Sequence, residues 1–302
     1  MLSGIGPKEH LQQFNIPVLK DLPVGDNQHN HVSIDFNFLI KDSAARKLVL
    51  PPGRLNTQQL YQWFTTGGGP LANYYRSESY FSTSVNPDKD WPDVSLEVGI
   101  YLFPENMTDY RPYRFGERKL EWEQYYRPYF GRPYLFVHPI LQRVRSRGYT
   151  RLQSADPHVP PRLSPNFLID PQDLQAEIEM IQKVLRIYEL SSISQYLEQL
   201  QPIPGCNRCP NKRYLYECEP YIRCAIEQVV YTTYHAVGTA RMGAPERKDT
   251  VVDPYLRVKG VERLRVCDSS IAPLLPNANT NAMALMIGEK CAQMVKDQAG
   301  SY

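Results

Sequence analysis

The sequence predicts an α+β fold, and three stretches carry that reading. Residues 93–102 alternate, with Val94, Leu96, Val98, Ile100 and Leu102 on one face, the period of a half-buried strand. Residues 170–188 place Leu174, Ile178, Ile181, Leu185 and Tyr188 at helical spacing behind an Asp170-Pro171 start. Residues 282–295 form another stripe through Met283, Ile287, Cys291 and Met294 or Val295, with Glu289, Lys290, Lys296 and Asp297 on the other side. At 302 residues the chain is long enough for a sizeable core or two unequal domains.

In chain order, residues 8–14 read as a short helix and 17–22 as a strand-like run closed by a turn at 23–27. Residues 36–41 alternate and start a sheet. Residues 57–65 form a helix that stops before Gly67-Gly68-Gly69-Pro70. That glycine cluster is expected to be a surface turn, because Pro70 and the lack of a preceding apolar strand argue against a phosphate loop. Residues 110–133 are dense in Tyr, Arg, Phe and Pro and read as a surface loop, the alternative being a lid or partner contact. Residues 134–140 and 151–154 are strand candidates, and 157–165 an extended proline-rich connection. Asp173 stands third in the helix opened by Asp170, in place of the Glu or Gln of a capping box. Residues 191–200 are expected to form another short helix, and 225–233 a helix leading into His235. Residues 263–268 alternate as a strand ended by Asp268-Ser269-Ser270. Pro273 and Pro276 keep the next residues out of regular structure, and Asn279 and Thr280 are N-cap candidates for the last helix.

A formal net charge of +2 implies neither nucleic acid nor an acidic surface as partner. No apolar run approaches the roughly 18 residues of a membrane span. The 26 prolines and 21 tyrosines fit a loop-rich, secreted-type enzyme. Of the 6 cysteines, Cys206, Cys209, Cys218 and Cys224 share one hydrophilic loop, while Cys267 and Cys291 lie in apolar settings. The spacing of Cys206 and Cys209 allows zinc, but Cys218 and Cys224 are too far apart for a ribbon-type site, so disulfides are preferred. With the sequon Asn106-Met107-Thr108, they point to an oxidising, extracellular compartment.

The chemistry concentrates between residues 234 and 289. His235 precedes the small-residue turn 236–239, and Gly238 there lets the backbone approach a flat ligand. With an ordinary pKa of about 6.5, an imidazole takes a proton near neutral pH. The same residue reads equally as a partly buried histidine satisfied by backbone. Asp268, a loop and a helix start make a place to hold a nucleotide cofactor: the carboxylate accepts ribose or ribityl hydroxyls, and the helix N-terminus favours negative charge.

Several blocks in order resemble one family. They are Met1 to Gly6 with Pro7-Lys8-Glu9-His10-Leu11, then Leu22-Pro23-Val24-Gly25-Asp26-Asn27 with His31. Ser146-Arg147-Gly148, Leu152, Ser154-Ala155-Asp156-Pro157 and Pro165-Asn166-Phe167-Leu168 come next in mid-chain. Near the end stand His235-Ala236-Val237-Gly238-Thr239, Met242-Gly243, Val252-Asp253-Pro254, Leu256-Arg257-Val258, Gly260, Asp268-Ser269-Ser270 and Met286-Ile287-Gly288-Glu289-Lys290. The sequence resembles the glucose-methanol-choline flavoprotein oxidoreductases, most of all the insect-type glucose dehydrogenase branch, over nearly its whole length. The resemblance implies an incomplete fold of that family. Residues 1–36 would be a remnant of an FAD-binding α/β domain. Residues 37–230 would form a domain with a mixed or antiparallel substrate-binding sheet, and 231–302 a segment returning to the FAD domain.

The resemblance also implies roles. His235 matches the catalytic histidine that accepts the substrate's hydroxyl proton. Asn279 matches the position that hydrogen-bonds the substrate oxygen. Asp268, Ser269, Ala278, Asn279 and Thr280 fall where the family contacts FAD. Cys206 is expected to pair with Cys224. The substrate would be a small-molecule alcohol or sugar, and the electron acceptor quinone-like or oxygen. The family's Gly-x-Gly-x-x-Gly fingerprint and its first signature are absent from this sequence. The chain is therefore expected to be a C-terminal fragment or truncated gene product that holds FAD poorly alone. The alternative is a non-catalytic derivative that kept the substrate sheet as a binding protein.

Overall fold

The computed structural model describes residues 1–41, 56–69, 71–72, 76–103 and 119–299. In chain order its elements are β1 (Ile5–Gly6), α1 (Lys8–Gln12), β2 (Lys20–Asp21), β3 (Val32–Ser33), β4 (Phe38–Ile40), α2 (Thr57–Thr66), β5 (Arg76–Phe81), β6 (Val94–Leu102), α3 (Lys119–Tyr126), β7 (Pro133–Leu141), β8 (Tyr149–Arg151), β9 (Arg162–Ser164), α4 (Pro171–Leu190), β10 (Leu197–Gln199), α5 (Glu219–Val229), β11 (Tyr231–Thr232) and α6 (Asn281–Ala299). The α+β expectation holds. Among the described residues no helix is long and apolar enough to cross a membrane.

The chain divides into two compact units, one of residues 1–32, 142–174 and 232–302, the other of 33–141 and 175–231. Residues 142–174, expected inside a 37–230 domain, thus lie in the first unit. Local bonds account for this. Gln28 and Gly148 exchange backbone hydrogen bonds of 3.0 and 2.7 Å, and Thr150 N donates to Gly25 O at 2.7 Å. Asp173, buried, accepts from the backbone N–H groups of Arg145 and Ser146 at 2.9 and 2.7 Å, so its carboxylate serves a neighbouring loop instead of a capping box. Asp170 makes the turn at the helix start, accepting from Gln172 N at 2.8 Å.

The second unit is built on a sheet in the order β10-β4-β7-β3-β11, with β6 pairing both β7 and β5. β6 and β7 run antiparallel in register from Val94↔Leu141 to Leu102↔Pro133. Their alternation buries Val94, Leu96, Leu135, Val137 and Leu141 on one face, each contributing roughly 1.5–3 kcal/mol. The stripe of α4 is buried as its spacing predicts, through Ile178, Ile181, Leu185 and Tyr188. α2 keeps its predicted span. A capping box of Asn56 and Gln59 starts it, and Gly67 in the left-handed region (φ 65°) ends it.

Several expectations are corrected. Residues 104–118, including the Asn106 sequon, lie outside the described residues, but Lys119–Tyr126 is a helix, not a surface loop, and it carries Trp122, with Tyr129 just beyond it, into the interior while its other face stays exposed. Trp122 is 1% exposed, Tyr129 is buried, and Phe103 stacks on Tyr134 at 4.0 Å. Residues 191–200 form a 3-10 turn (Ser192–Tyr196) and then β10, because the Leu197–Gln199 backbone completes the edge of β4. The helix expected at 225–233 ends at Val229, where β-branched residues give way to β11. The strand expected at 151–154 lies earlier, and it pairs with Arg162–Ser164 inside the proline-rich connection. Residues 263–268 form no strand: Arg263 is left-handed (φ 58°) and reverses the chain, so that Val258 N reaches Leu264 O and Val266 N reaches Leu256 O.

Three disulfides are present. Cys206–Cys224, the expected pair, and Cys209–Cys218 close the loop of the second unit, leaving no thiolate there for zinc. Cys267–Cys291 ties the residue before Asp268 to α6 in the first unit.

Trp122→Ala is expected to cost about 3–5 kcal/mol in denaturant unfolding, the range for emptying a buried aromatic site. A change within about 0.5 kcal/mol, normal for a surface position, would return this stretch to the surface.

Candidate active site

His235 is placed by a short reversal of the chain in the first unit. Tyr234 adopts a left-handed conformation (φ 65°), uncommon for a bulky side chain and held here by its surroundings. Thr232 Oγ1 accepts from Tyr234 N at 2.9 Å and from Asn30 Nδ2 at 2.5 Å, and Asn30 Oδ1 accepts from His235 N at 2.9 Å. His29 and Val237 bridge antiparallel, with N···O distances of 3.2 and 3.0 Å. The run of residues 27–31 and the run 233–238 thereby lie side by side. Gly238 (φ 93°) is required at this junction, since a Cβ there would stand 2.4 Å from Asn27 O and 2.9 Å from His29 Cε1. The atoms that such a Cβ would meet belong to the chain itself.

The centre of the site is a second histidine. His31 Nδ1 lies 3.0 Å from His235 Nδ1, and its Nε2 lies 3.0 Å from the carbonyl oxygen of Pro276. The rings meet edge to face at 86°. A carbonyl oxygen only accepts, which assigns the hydrogen of His31 to Nε2. Neutral His31 then presents Nδ1 as an acceptor. His235 fills it with Nδ1–H, which also points to Thr233 Oγ1 at 2.9 Å, while Thr233 Oγ1 donates to His31 O. In that tautomer His235 keeps its lone pair on Nε2, the arrangement of a general base.

Burial keeps the neighbours neutral. His31 is fully buried and its pKa is pushed down to about 3, by desolvation first and then by the charge His235 would carry; backbone hydrogen bonds at Pro276 and Gln142 work the other way. Desolvation also pushes His29 down to about 4, with Arg147 and Arg241 adding to it and the Asn27 carbonyl opposing.

The other expected site residues lie just after Pro276 or precede it by a short loop. Asp268 is exposed and caps the 3-10 turn Ser269–Ile271, accepting from Ser270 N at 2.8 Å. That turn is stitched to the segment after His235: Ala240 N donates to Ser270 O and Met242 N to Ile271 O, both at 2.8 Å. Ala278 and Asn279 are exposed, and Ser269 and Thr280 half-buried. Thr280 stands just before α6 and its carbonyl accepts from Ala284 N at 3.0 Å, the start expected from sequence. Asn279 makes no hydrogen bond with a described residue, so its amide faces outward unpaired. Sequence reasoning gave no role to His31, Asn30 or Thr233. The available signal was the polar run Gln28-His29-Asn30-His31 directly before apolar Val32.

Comparisons with known proteins show the family. Residues 144–288 match the family described as GMC oxidoreductase. Glucose dehydrogenase (FAD, quinone) of Drosophila melanogaster is 32% identical over 310 residues, covering 100% of this chain and 45% of that protein. The chain belongs to the GMC oxidoreductase family. Choline oxidase of Arthrobacter globiformis is 29% identical over 299 residues, covering 98% of this chain and 46% of that protein. A formate oxidase structure from Aspergillus oryzae, 24% identical, superposes with a TM-score of 0.76 over 99% of this chain and 52% of its own, which shows the fold. The chain spans about half the length of the relatives it matches.

Since His29 and His31 are held neutral, the unfolded chain binds more protons as pH falls from about 6.5 towards about 4. Stability is full above that window and falls through it, by about 1.4 kcal/mol per pH unit for each histidine. His29→Gln is expected to flatten the plot of unfolding free energy against pH between 6 and 4.5 by about that slope. An unchanged slope would show that His29 is not held neutral.

Proposed function

We propose that the chain is the substrate-binding and proton-handling part of an FAD-dependent oxidoreductase acting on the CH–OH group of a small alcohol or sugar. His235 is the general base, and Asn279 donates to the substrate oxygen. One observation carries this reading: His31 hydrogen-bonds both His235 and the carbonyl of Pro276, three residues before Asn279. Residues distant in sequence are thus tied to one another, and the ring of the base is held through Nδ1. The first compact unit is read as the cofactor side and the second as the substrate-binding unit.

The donor set suits FAD. The exposed Asp268 carboxylate, already oriented by Ser270 N, offers an acceptor to ribose or ribityl hydroxyls. Ser269, Ala278, Asn279 and Thr280 surround the start of a 19-residue helix, whose positive end favours an anionic group. When bound, FAD supplies a hydride acceptor.

The chain's own residues handle the proton. Nε2 of His235 takes the hydroxyl proton. His31 Nδ1 and Thr233 Oγ1 hold the ring through Nδ1–H, so that it cannot turn away. The Asn279 amide donates to the oxygen as negative charge grows there and does not compete for the proton. The names of the relatives support either a quinone-like acceptor or oxygen. Three disulfides suit an extracellular location.

A flavin-loaded preparation is expected to be yellow and to reduce a quinone-like dye with an alcohol. His235→Ala should lower turnover by about 10²–10⁴-fold while flavin absorbance is retained, and Asn279→Asp should also cause a large loss, because a carboxylate repels the forming alkoxide. Unchanged rates would remove these residues from the mechanism. A colourless chain that folds without flavin and still binds an alcohol would mark a binding protein instead.

A further inference from the structure

The second compact unit carries a small polar pocket where the end of α4, the 3-10 turn after it, β10 and the cysteine loop meet. Its volume is about 220 Å³, and Phe38, Tyr188, Glu189, Ser194, Leu197 and Arg213 line it. The loop side is cross-linked. The bridges Cys206–Cys224 and Cys209–Cys218 are nested, and Arg213 and Tyr214 stand within the inner one. Glu189 fastens the same loop to α4, accepting from Leu215 N at 2.9 Å and from Tyr216 N at 3.1 Å. The rings of Tyr214 and Tyr216 stack at 5.6 Å and 18°. A loop held in this way has little freedom left to lose when a ligand arrives.

The polar groups of the pocket divide by role. Gln199 Nε2 also donates to Glu189 Oε1, so three N–H groups already converge on the one carboxylate in the lining. The donors are uncommitted. Tyr188 is 8% exposed and its ring lies 5.3 Å from that of Phe38, but among the described residues its hydroxyl meets no hydrogen-bond partner. Burial pushes its pKa up to about 12, so the hydroxyl keeps its hydrogen at neutral pH. The hydroxyl of half-buried Ser194 likewise meets none. The Arg213 guanidinium lies 5.1 Å from the centre of the Tyr214 ring, and no carboxylate of the described residues pairs with it. A pocket whose carboxylate is spent and whose donors are free suits a ligand that accepts. A guanidinium among those donors suits an anion, above all a planar carboxylate.

We propose that this pocket is a binding site for a small monocarboxylate with an aromatic or branched apolar body. Arg213 pairs with the carboxylate, the hydroxyls of Tyr188 and Ser194 donate to its oxygens, and Phe38 and Leu197 flank the apolar part. One cation matches one negative charge, and the volume admits a single-ring acid but not a drug-sized ligand. The site lies wholly within the second unit and does not depend on the oxidoreductase reading.

The test titrates benzoate into the purified, disulfide-intact chain and follows the ligand by NMR. Saturable binding is expected. Benzamide, the neutral isostere, should bind about 10-fold or more weakly than benzoate, and benzylamine, of opposite charge, should not bind. Arg213→Gln removes the cation at an exposed position, and Tyr188→Phe keeps the buried ring while removing its hydroxyl, so neither change acts through the fold. Each is expected to weaken benzoate by about 10-fold or more, the worth of a hydrogen bond to a charged group. No saturable benzoate binding by the parent would overturn the proposal, as would unchanged binding in either variant. Benzamide bound as tightly as benzoate would overturn it too. A preference for benzylamine would show that the Glu189 charge governs the pocket and would equally overturn it.

Discussion

The carbonyl of Pro276 is the fixed point of the candidate site. It has no hydrogen to give, so it settles the tautomer of His31, and His31 settles that of His235. Burial then locks the arrangement, because a fully desolvated His31 resists protonation down to about pH 3. A base with an uncommitted tautomer would spend part of its time with Nε2 already protonated and useless as an acceptor. Here a backbone atom makes the choice, and a backbone carbonyl cannot be lost by substituting a side chain.

The first unit supports that point with little regular structure. Its working segments are loops joined by backbone hydrogen bonds, such as Ala240 to Ser270 and Met242 to Ile271, and by the bridge of Cys267 to Cys291. The bridge closes a segment containing Asp268, Ser269, Ala278, Asn279 and Thr280, which limits how far that stretch wanders. Asp253 adds a further clamp, accepting from the backbone N–H groups of Tyr255 and Arg257 and from the Arg257 guanidinium; these bonds hold its carboxyl below the usual range against the opposing effect of burial. Loops held this way can present side chains from a fixed backbone, and the turn at 276–280 exposes Ala278 and Asn279.

Elements with a strong period were legible in the sequence. β6, β7, α4 and α6 repeat apolar residues at intervals of two or near 3.6, and the structure keeps them within a few residues. α2 was legible from its stop signals. What failed were segments whose state depends on a distant partner. Leu197–Gln199 becomes a strand only because β4 has an open edge, and Arg162–Ser164 only because Tyr149–Arg151 lies opposite. The aromatic stretch around Trp122 looked exposed because its composition is that of a loop, and composition does not show that its rings interlock. Within the site, His235 was legible through the surrounding motif. His31 was not, since its importance lies in two contacts 204 and 245 residues away. Cys267 and Cys291 showed no pairing signal, being 24 residues apart in unrelated elements.

The pairing of the two histidines does not depend on membership of the GMC family, because it rests on distances and hydrogen-bond chemistry alone. The relay is read most directly by ¹⁵N-resolved NMR of the histidine ring nitrogens in the purified chain at neutral pH. Nε2–H on His31 together with Nδ1–H on His235 is the expected pattern. Nε2–H on His235 would contradict it and remove the lone pair that the proposed base needs.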